Sequence, residues 1–171
     1  MRRTIAAALG AVAALVISLA GASAAYAYPV DHCAADQSKQ FALPNKTDVI
    51  ATVMICIQTD SDGTVRSRFN MHWRYNGPPL GANYKFDRWD ATIRTERRQP
   101  PSTTDSIVNS ATCSFMDDFN DGYIDYNLEC YTGWVVRSNA YYYSGDATVV
   151  FDIDGDGKGS STWNLTGSPL V

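Results

Sequence analysis

Two neighbouring runs alternate with period two, and this constrains the chain more than any other feature. Val49, Ala51, Val53, Ile55 and Ile57 recur at every second position, and Phe69, Met71, Trp73 and Tyr75 do so further on. Between the runs stands Asp60-Ser61-Asp62-Gly63. Period-two apolarity is the signature of a strand with one face buried, and an Asp/Gly cluster between two such runs predicts a hairpin. A three-residue loop with Gly63 left-handed sets Ile55 opposite Phe69, Val53 opposite Met71 and Ala51 opposite Trp73. A two-residue loop would set Ile55 against Asn70 and Val53 against His72. Slipping by one residue turns every side chain to the wrong face, so the first register is expected. The opposite face then carries Thr52, Cys56, Gln58, Arg66, Arg68, Asn70, His72 and Arg74.

Similar runs continue along the chain, and no long amphipathic helical pattern appears after the first residues. Strands are predicted at 48–59, 64–75, 85–97, 106–119, 123–136, 147–153 and 161–166, with a further short piece near Tyr141-Tyr142-Tyr143. Pro78-Pro79 and Pro100-Pro101 mark loops, because proline removes a ladder donor. The spacing predicts an all-β fold, a single antiparallel β-sandwich of about seven or eight strands with two disulfides. Three segments follow: residues 1–27 as a signal peptide, 28–47 as an extended N-terminal arm, and 48–171 as the sandwich domain.

The leader carries Arg2 and Arg3, an apolar stretch from Ile5 to Ala20, and Ala25-Tyr26-Ala27, whose small residues suit signal peptidase. Cleavage is expected after Ala27, giving a secreted, extracellular protein with no membrane association once the signal is removed. The signal holds two of the 14 basic residues and none of the 18 acidic ones. The acidic balance of the remainder argues against nucleic acid as a partner.

All four cysteines (Cys33, Cys56, Cys113 and Cys130) lie beyond the signal. In an exported chain they read as two disulfides, and no close Cys pair suggests a metal site. Asp121-Gly122 is a two-residue turn signal. A hairpin closed there sets Cys113 opposite Cys130 in a pair that does not share hydrogen bonds, close enough to bridge. Its inward face collects Phe115, Phe119, Ile124, Tyr126 and Leu128, with Asp117 as the one charge. Cys33–Cys56 follows by elimination and would pin the arm to the outer, polar face of the first hairpin.

Candidate sites are few. Asp152-Ile153-Asp154-Gly155-Asp156-Gly157 has the carboxylate spacing that opens an EF-hand loop, which makes Asp152, Asp154 and Asp156 candidates for a structural Ca²⁺. Trp163 stands where that loop would need its bidentate Glu. Arg66, Arg68, His72 and Arg74 form a basic stripe that reads first as a solvated strand face. Trp73, Trp89, Trp134 and Trp163, with nine of the ten tyrosines, offer aromatic surface for sugar rings or for protein interfaces. His32 and His72 are the only histidines, and no G-x-S-x-G or H-E-x-x-H motif is present. A carboxylate pair such as Asp117 and Asp125 has no orienting partner in the sequence. No catalytic residue and no bound cofactor is therefore assigned.

The Ala-rich leader and the ending Thr162-Trp163-Asn164-Leu165-Thr166-Gly167-Ser168-Pro169 resemble those of small secreted actinomycete β proteins, themselves uncharacterised. That resemblance implies export and compactness but no activity. Trp73-Arg74-Tyr75 is similar to the inhibitory triplet of the tendamistat-type α-amylase inhibitors, which are all-β with two disulfides. There the triplet sits on a hairpin turn; here it ends a strand beyond Cys56. The expected function is a non-catalytic interaction or inhibitor-type protein with a protein or polysaccharide partner. A carbohydrate-binding module stands second and an enzyme of unrecognised type third.

Overall fold

The computed structural model describes residues 28–80, 84–121 and 127–171. Among them are ten strands: β1 (Val30–Cys33), β2 (Gln37–Phe41), β3 (Val49–Thr59), β4 (Thr64–Tyr75), β5 (Phe86–Arg98), β6 (Ser106–Ser114), β7 (Leu128–Tyr131), β8 (Val135–Val136), β9 (Tyr142–Ile153) and β10 (Ser161–Asn164). One short helix, α1 (Met116–Asn120), lies between β6 and β7. Residues 1–27, expected to be a signal peptide, lie outside the described residues. No helix among the described residues is long and apolar enough to cross a membrane.

Two antiparallel sheets pack face to face. In the first, β3 pairs with β1 and β2 along one side and with β4 along the other, and β4 pairs in turn with β7 and β8. The second runs β10-β9-β5-β6. The strand count exceeds seven or eight because two rows are each broken in two. β1 and β2 run along the same side of β3, and β7 and β8 along the same side of β4. Residues 28–47 thus supply a sheet edge through β1 and β2.

The first hairpin has the expected register. Ile55 opposes Phe69, Val53 opposes Met71 and Ala51 opposes Trp73. Gly63 has φ 81°, a value that costs a glycine nothing. Asp62 Oδ1 accepts the Thr64 N–H at 2.9 Å, which closes the loop. Val49, Ala51, Val53, Ile55, Phe69, Met71 and Trp73 are all fully buried.

The second predicted hairpin requires correction. Cys113 and Cys130 are joined, with Cα atoms 6.0 Å apart, but they sit on different sheets. β6 pairs with β5, and β7 pairs with β4. The disulfide therefore bridges the sandwich. The strand expected over 106–119 stops at Ser114, and 116–120 form α1. A strand would have placed Asp117 on the buried face with Phe115 and Phe119. One helical turn keeps Phe115 and Phe119, four residues apart, on the same side. Both are buried, while Asp117 is exposed. The expected strand over 123–136 survives only as β7 and β8, and residues 122–126 lie outside the described residues. Cys33 and Cys56 form the other bridge, directly opposite each other on β1 and β3. The arm is thus pinned at the strand's edge, not laid over its outer face.

The interior falls into two parts. The larger centres on Trp73, Trp89, Phe41, Phe86 and Phe119. Phe119 lies 5.1 Å from the Trp73 ring and 4.3 Å from that of Trp89, so α1 closes this end. The smaller part holds Ile57, Val65 and Tyr143. A buried hydroxyl cluster, Ser67, Thr95 and Thr132, bonds across the two sheets: Ser67 Oγ lies 2.9 Å from Thr95 Oγ1, which lies 2.7 Å from Thr132 Oγ1. Gly145 packs against it. A Cβ at that position would fall 2.8 Å from the Cys56 carbonyl and 2.9 Å from Ser67 Oγ, so no other residue fits without a shift.

Candidate functional site

The loop between β9 and β10 carries the three aspartates, and each turns to a separate partner. Asp154 Oδ2 lies 2.5 Å from Lys46 Nζ, which also donates to the Tyr84 carbonyl. Asp156 Oδ1 accepts the Lys158 N–H at 2.8 Å, and Asp152 Oδ2 takes the Ser160 hydroxyl at 3.4 Å. Among the described residues, Asp31, Cys33 and Cys56 alone place three metal-type ligand atoms within 4.8 Å of one another. Their two sulfurs are joined in a disulfide. The loop carboxylates do not converge, and the Lys46 ammonium stands where a cation would sit against Asp154.

The outer face of the first sheet is more informative. β4 alternates, so Arg66, Arg68, Asn70, His72 and Arg74 point away from the core, as the basic stripe predicted. Only part of the stripe is free basic surface. Arg68 donates to Asp31 at 2.6 Å and also to Glu129. Glu129 accepts further bonds from the Tyr131 hydroxyl at 2.6 Å and from Asn70 at 3.2 Å. Burial alone would raise the Glu129 carboxyl. The bonds from Tyr131 and Arg68 outweigh it and hold the group below the usual carboxylate range. Burial, together with the bond to Glu129, pushes the Tyr131 phenol up.

At the end of this face the Arg66 guanidinium lies over two rings. It is 4.1 Å from the Tyr131 centroid and 4.4 Å from that of Trp134. Its Nε donates to Gln58 Oε1 at 2.6 Å, fixing the plane. Such stacking is favourable because the ring faces are electron-rich. Trp134 lies in the break between β7 and β8, just after Thr132 turns inward to the hydroxyl cluster. Of the four tryptophans, Trp73 and Trp89 are fully buried, Trp163 packs partly buried against the core, and Trp134 is the exposed one at 38%. Val30 and Val136 are exposed on the same sheet.

No family model, curated protein or solved structure matches the chain.

The remaining sequence candidates are dispersed. Of Tyr141-Tyr142-Tyr143, Tyr143 is buried and Tyr142 exposed, as a strand requires. In the triplet Trp73-Arg74-Tyr75, Trp73 is in the core and only Arg74 is exposed. His32 lies on β1 and His72 on β4, well apart in the chain with no carboxylate bonded to either among the described residues. Asp117 lies on α1, and Asp125 is outside the described residues. A feature not singled out in the sequence is Lys85, which is 1% exposed. Its ammonium donates to the Phe119 carbonyl and lies 5.0 Å from the Trp73 ring centroid and 5.3 Å from that of Tyr75. Burial pushes this amine below the usual lysine range. Its place at the end of α1 makes it a structural cap.

Proposed function

We propose that the chain is an exported, non-catalytic interaction module that binds a protein partner through the outer face of the first sheet. The observation that carries this reading is the exposed Trp134, with the Arg66 guanidinium over its ring and that of Tyr131. Trp, Tyr and Arg dominate binding energy at protein interfaces. Here Gln58 and the two rings hold the guanidinium in place before any partner arrives, which lowers the ordering cost of binding. Export is supported by the two disulfides, which persist in oxidising compartments, and by the leader ending at Ala27. A polysaccharide partner is the second reading, since Trp134 and Tyr131 are aromatic. A sugar platform needs free ring faces, however, and Arg66 occupies one face of each. The test is affinity capture with the purified protein against culture-medium proteins and against cellulose and chitin. Retention of a defined protein supports the reading. Retention on polysaccharide with no protein partner would reverse the order.

A further inference from the structure

One end of the outer face of the first sheet offers hydrogen-bond donors with nothing to receive them. Arg66 stands opposite Gln58 in the β3–β4 ladder, and its Nε is engaged by the Gln58 side chain at 2.6 Å. Its two Nη nitrogens enter no hydrogen bond or ion pair among the described residues, and neither is sealed from solvent. The ring of Trp134 lies 4.4 Å from the guanidinium, and its indole N–H likewise has no acceptor among the described residues. Guanidinium and indole nitrogens donate and never accept, so these three nitrogens call for an acceptor.

The nearby carboxylates are committed elsewhere. Asp31, opposite Gln58 on β1, accepts from Arg68 at 2.6 Å. Glu129 accepts from Arg68, Asn70 and the Tyr131 hydroxyl. At the β3–β4 turn, Asp62 Oδ1 accepts the Thr64 N–H and hydroxyl, and Asp60 Oδ1 accepts the Ser61 N–H. The chain has 18 acidic against 14 basic residues, yet this guanidinium is left without a counter-ion. Its surroundings are fixed as well. Thr132 N–H donates to the Ser67 carbonyl on β4 at 3.0 Å. The Gly133 carbonyl accepts from Asn109 Nδ2 on β6 at 3.1 Å. The turn that carries Trp134 is therefore tied to both sheets. Val136, opposite Thr64 and exposed, adds apolar surface beside it.

We propose that this end of the sheet receives the carboxylate of an acidic side chain, Asp or Glu, on the protein partner, seated on the Arg66 fork with its apolar neighbours against Trp134 and Val136. This rests on the reading of the face as a docking surface and names what docks there. A planar fork held in place before binding matches the two oxygens of a carboxylate. One uncompensated positive charge also matches one carboxylate. The next cation along the stripe, Arg68, is already neutralised by Asp31 and Glu129. A phosphoryl group carries a charge of about −2 and calls for a second cation. Excluding water at Trp134 as the partner closes strengthens the ion pair.

The test is a magnetic-resonance titration of the purified, nitrogen-15-labelled protein, read at the Arg66 Nε–H and Trp134 indole N–H signals. The probes are acetyl-leucyl-glutamyl-leucine amide, its neutral glutaminyl counterpart, methyl glucuronide and inorganic phosphate. The glutamyl peptide should move both signals saturably, and the glutaminyl peptide should bind about tenfold more weakly or worse, through loss of the charge-assisted bonds. Arg66→Lys keeps the charge and loses the fork, so it should weaken the glutamyl peptide severalfold with the melting transition retained. Arg74→Lys should leave binding unchanged. No saturable movement, equal binding of the glutaminyl peptide, or tighter binding of methyl glucuronide or phosphate would overturn the proposal. A silent peptide with a partner still captured through Trp134 overturns this inference and leaves the docking surface standing. Peptide binding with no protein captured overturns the docking surface and leaves the carboxylate preference of Arg66 standing.

Discussion

Glu96 is a residue whose charge works against the fold. Its carboxyl titrates above the usual range because it is buried beside Asp146, with Asp105 adding to the repulsion and Arg94 opposing it. A carboxyl raised in the folded state favours the fold below its unfolded value, and that contribution is lost as pH rises through the folded value. At neutral pH the ionised group therefore opposes folding. Glu96→Gln should melt higher than the unaltered protein at neutral pH, and the gap should shrink on acidification towards the ordinary carboxylate range. A lower melting temperature at neutral pH would contradict the assignment. Lys46 makes a second case. A calcium ion at Asp152, Asp154 and Asp156 has to displace its ammonium from Asp154. The difference in melting temperature between calcium and chelator should be larger in Lys46→Met than in the unaltered protein, by mass action on the folded state. A difference no larger than in the parent would show that Asp154 takes no part in holding calcium.

At the level of elements, α1 and the Cys113–Cys130 bridge act together. The helix folds Phe119 onto Trp73 and Trp89, and the bridge ties β6 of one sheet to β7 of the other. The cysteines are 17 residues apart, and closing a loop of this size contributes about 3 kcal/mol, chiefly through the unfolded chain. The double substitution Cys113→Ala with Cys130→Ala should lower the denaturant-derived stability by about that amount. A loss below about 1 kcal/mol would mean that the unfolded chain is already restrained there by other contacts. The pairing was legible in the sequence, but its setting was not. The turn at Asp121-Gly122 and the alternation of Cys113, Phe115 and Phe119 suit a strand and one helical turn equally well. Asp117 on the supposed inward face was the one signal of conflict, and the helix resolves it.

Across the whole molecule, what could be read from the chain is what depends on neighbours in sequence. The register from Val49 to Tyr75 follows from alternation and a short loop, because a slip would bury Asn70 and His72. The sandwich follows from the spacing of strands and turns. The surfaces depend on partners far apart in the chain, and no local pattern announces them. Arg66 meets Tyr131 and Trp134 only because β4 pairs with β7 and β8. The central claim is that Trp134 and Arg66 anchor a protein partner, and one measurement tests it most directly. The affinity of the captured partner should be compared between the unaltered protein and Trp134→Ala, with Arg74→Ala as a control on the same face away from the stack. Truncating a central anchor typically costs 2 kcal/mol or more, so Trp134→Ala should weaken binding by about thirtyfold and Arg74→Ala by about threefold at most. Equal affinity of Trp134→Ala and the unaltered protein would contradict the account.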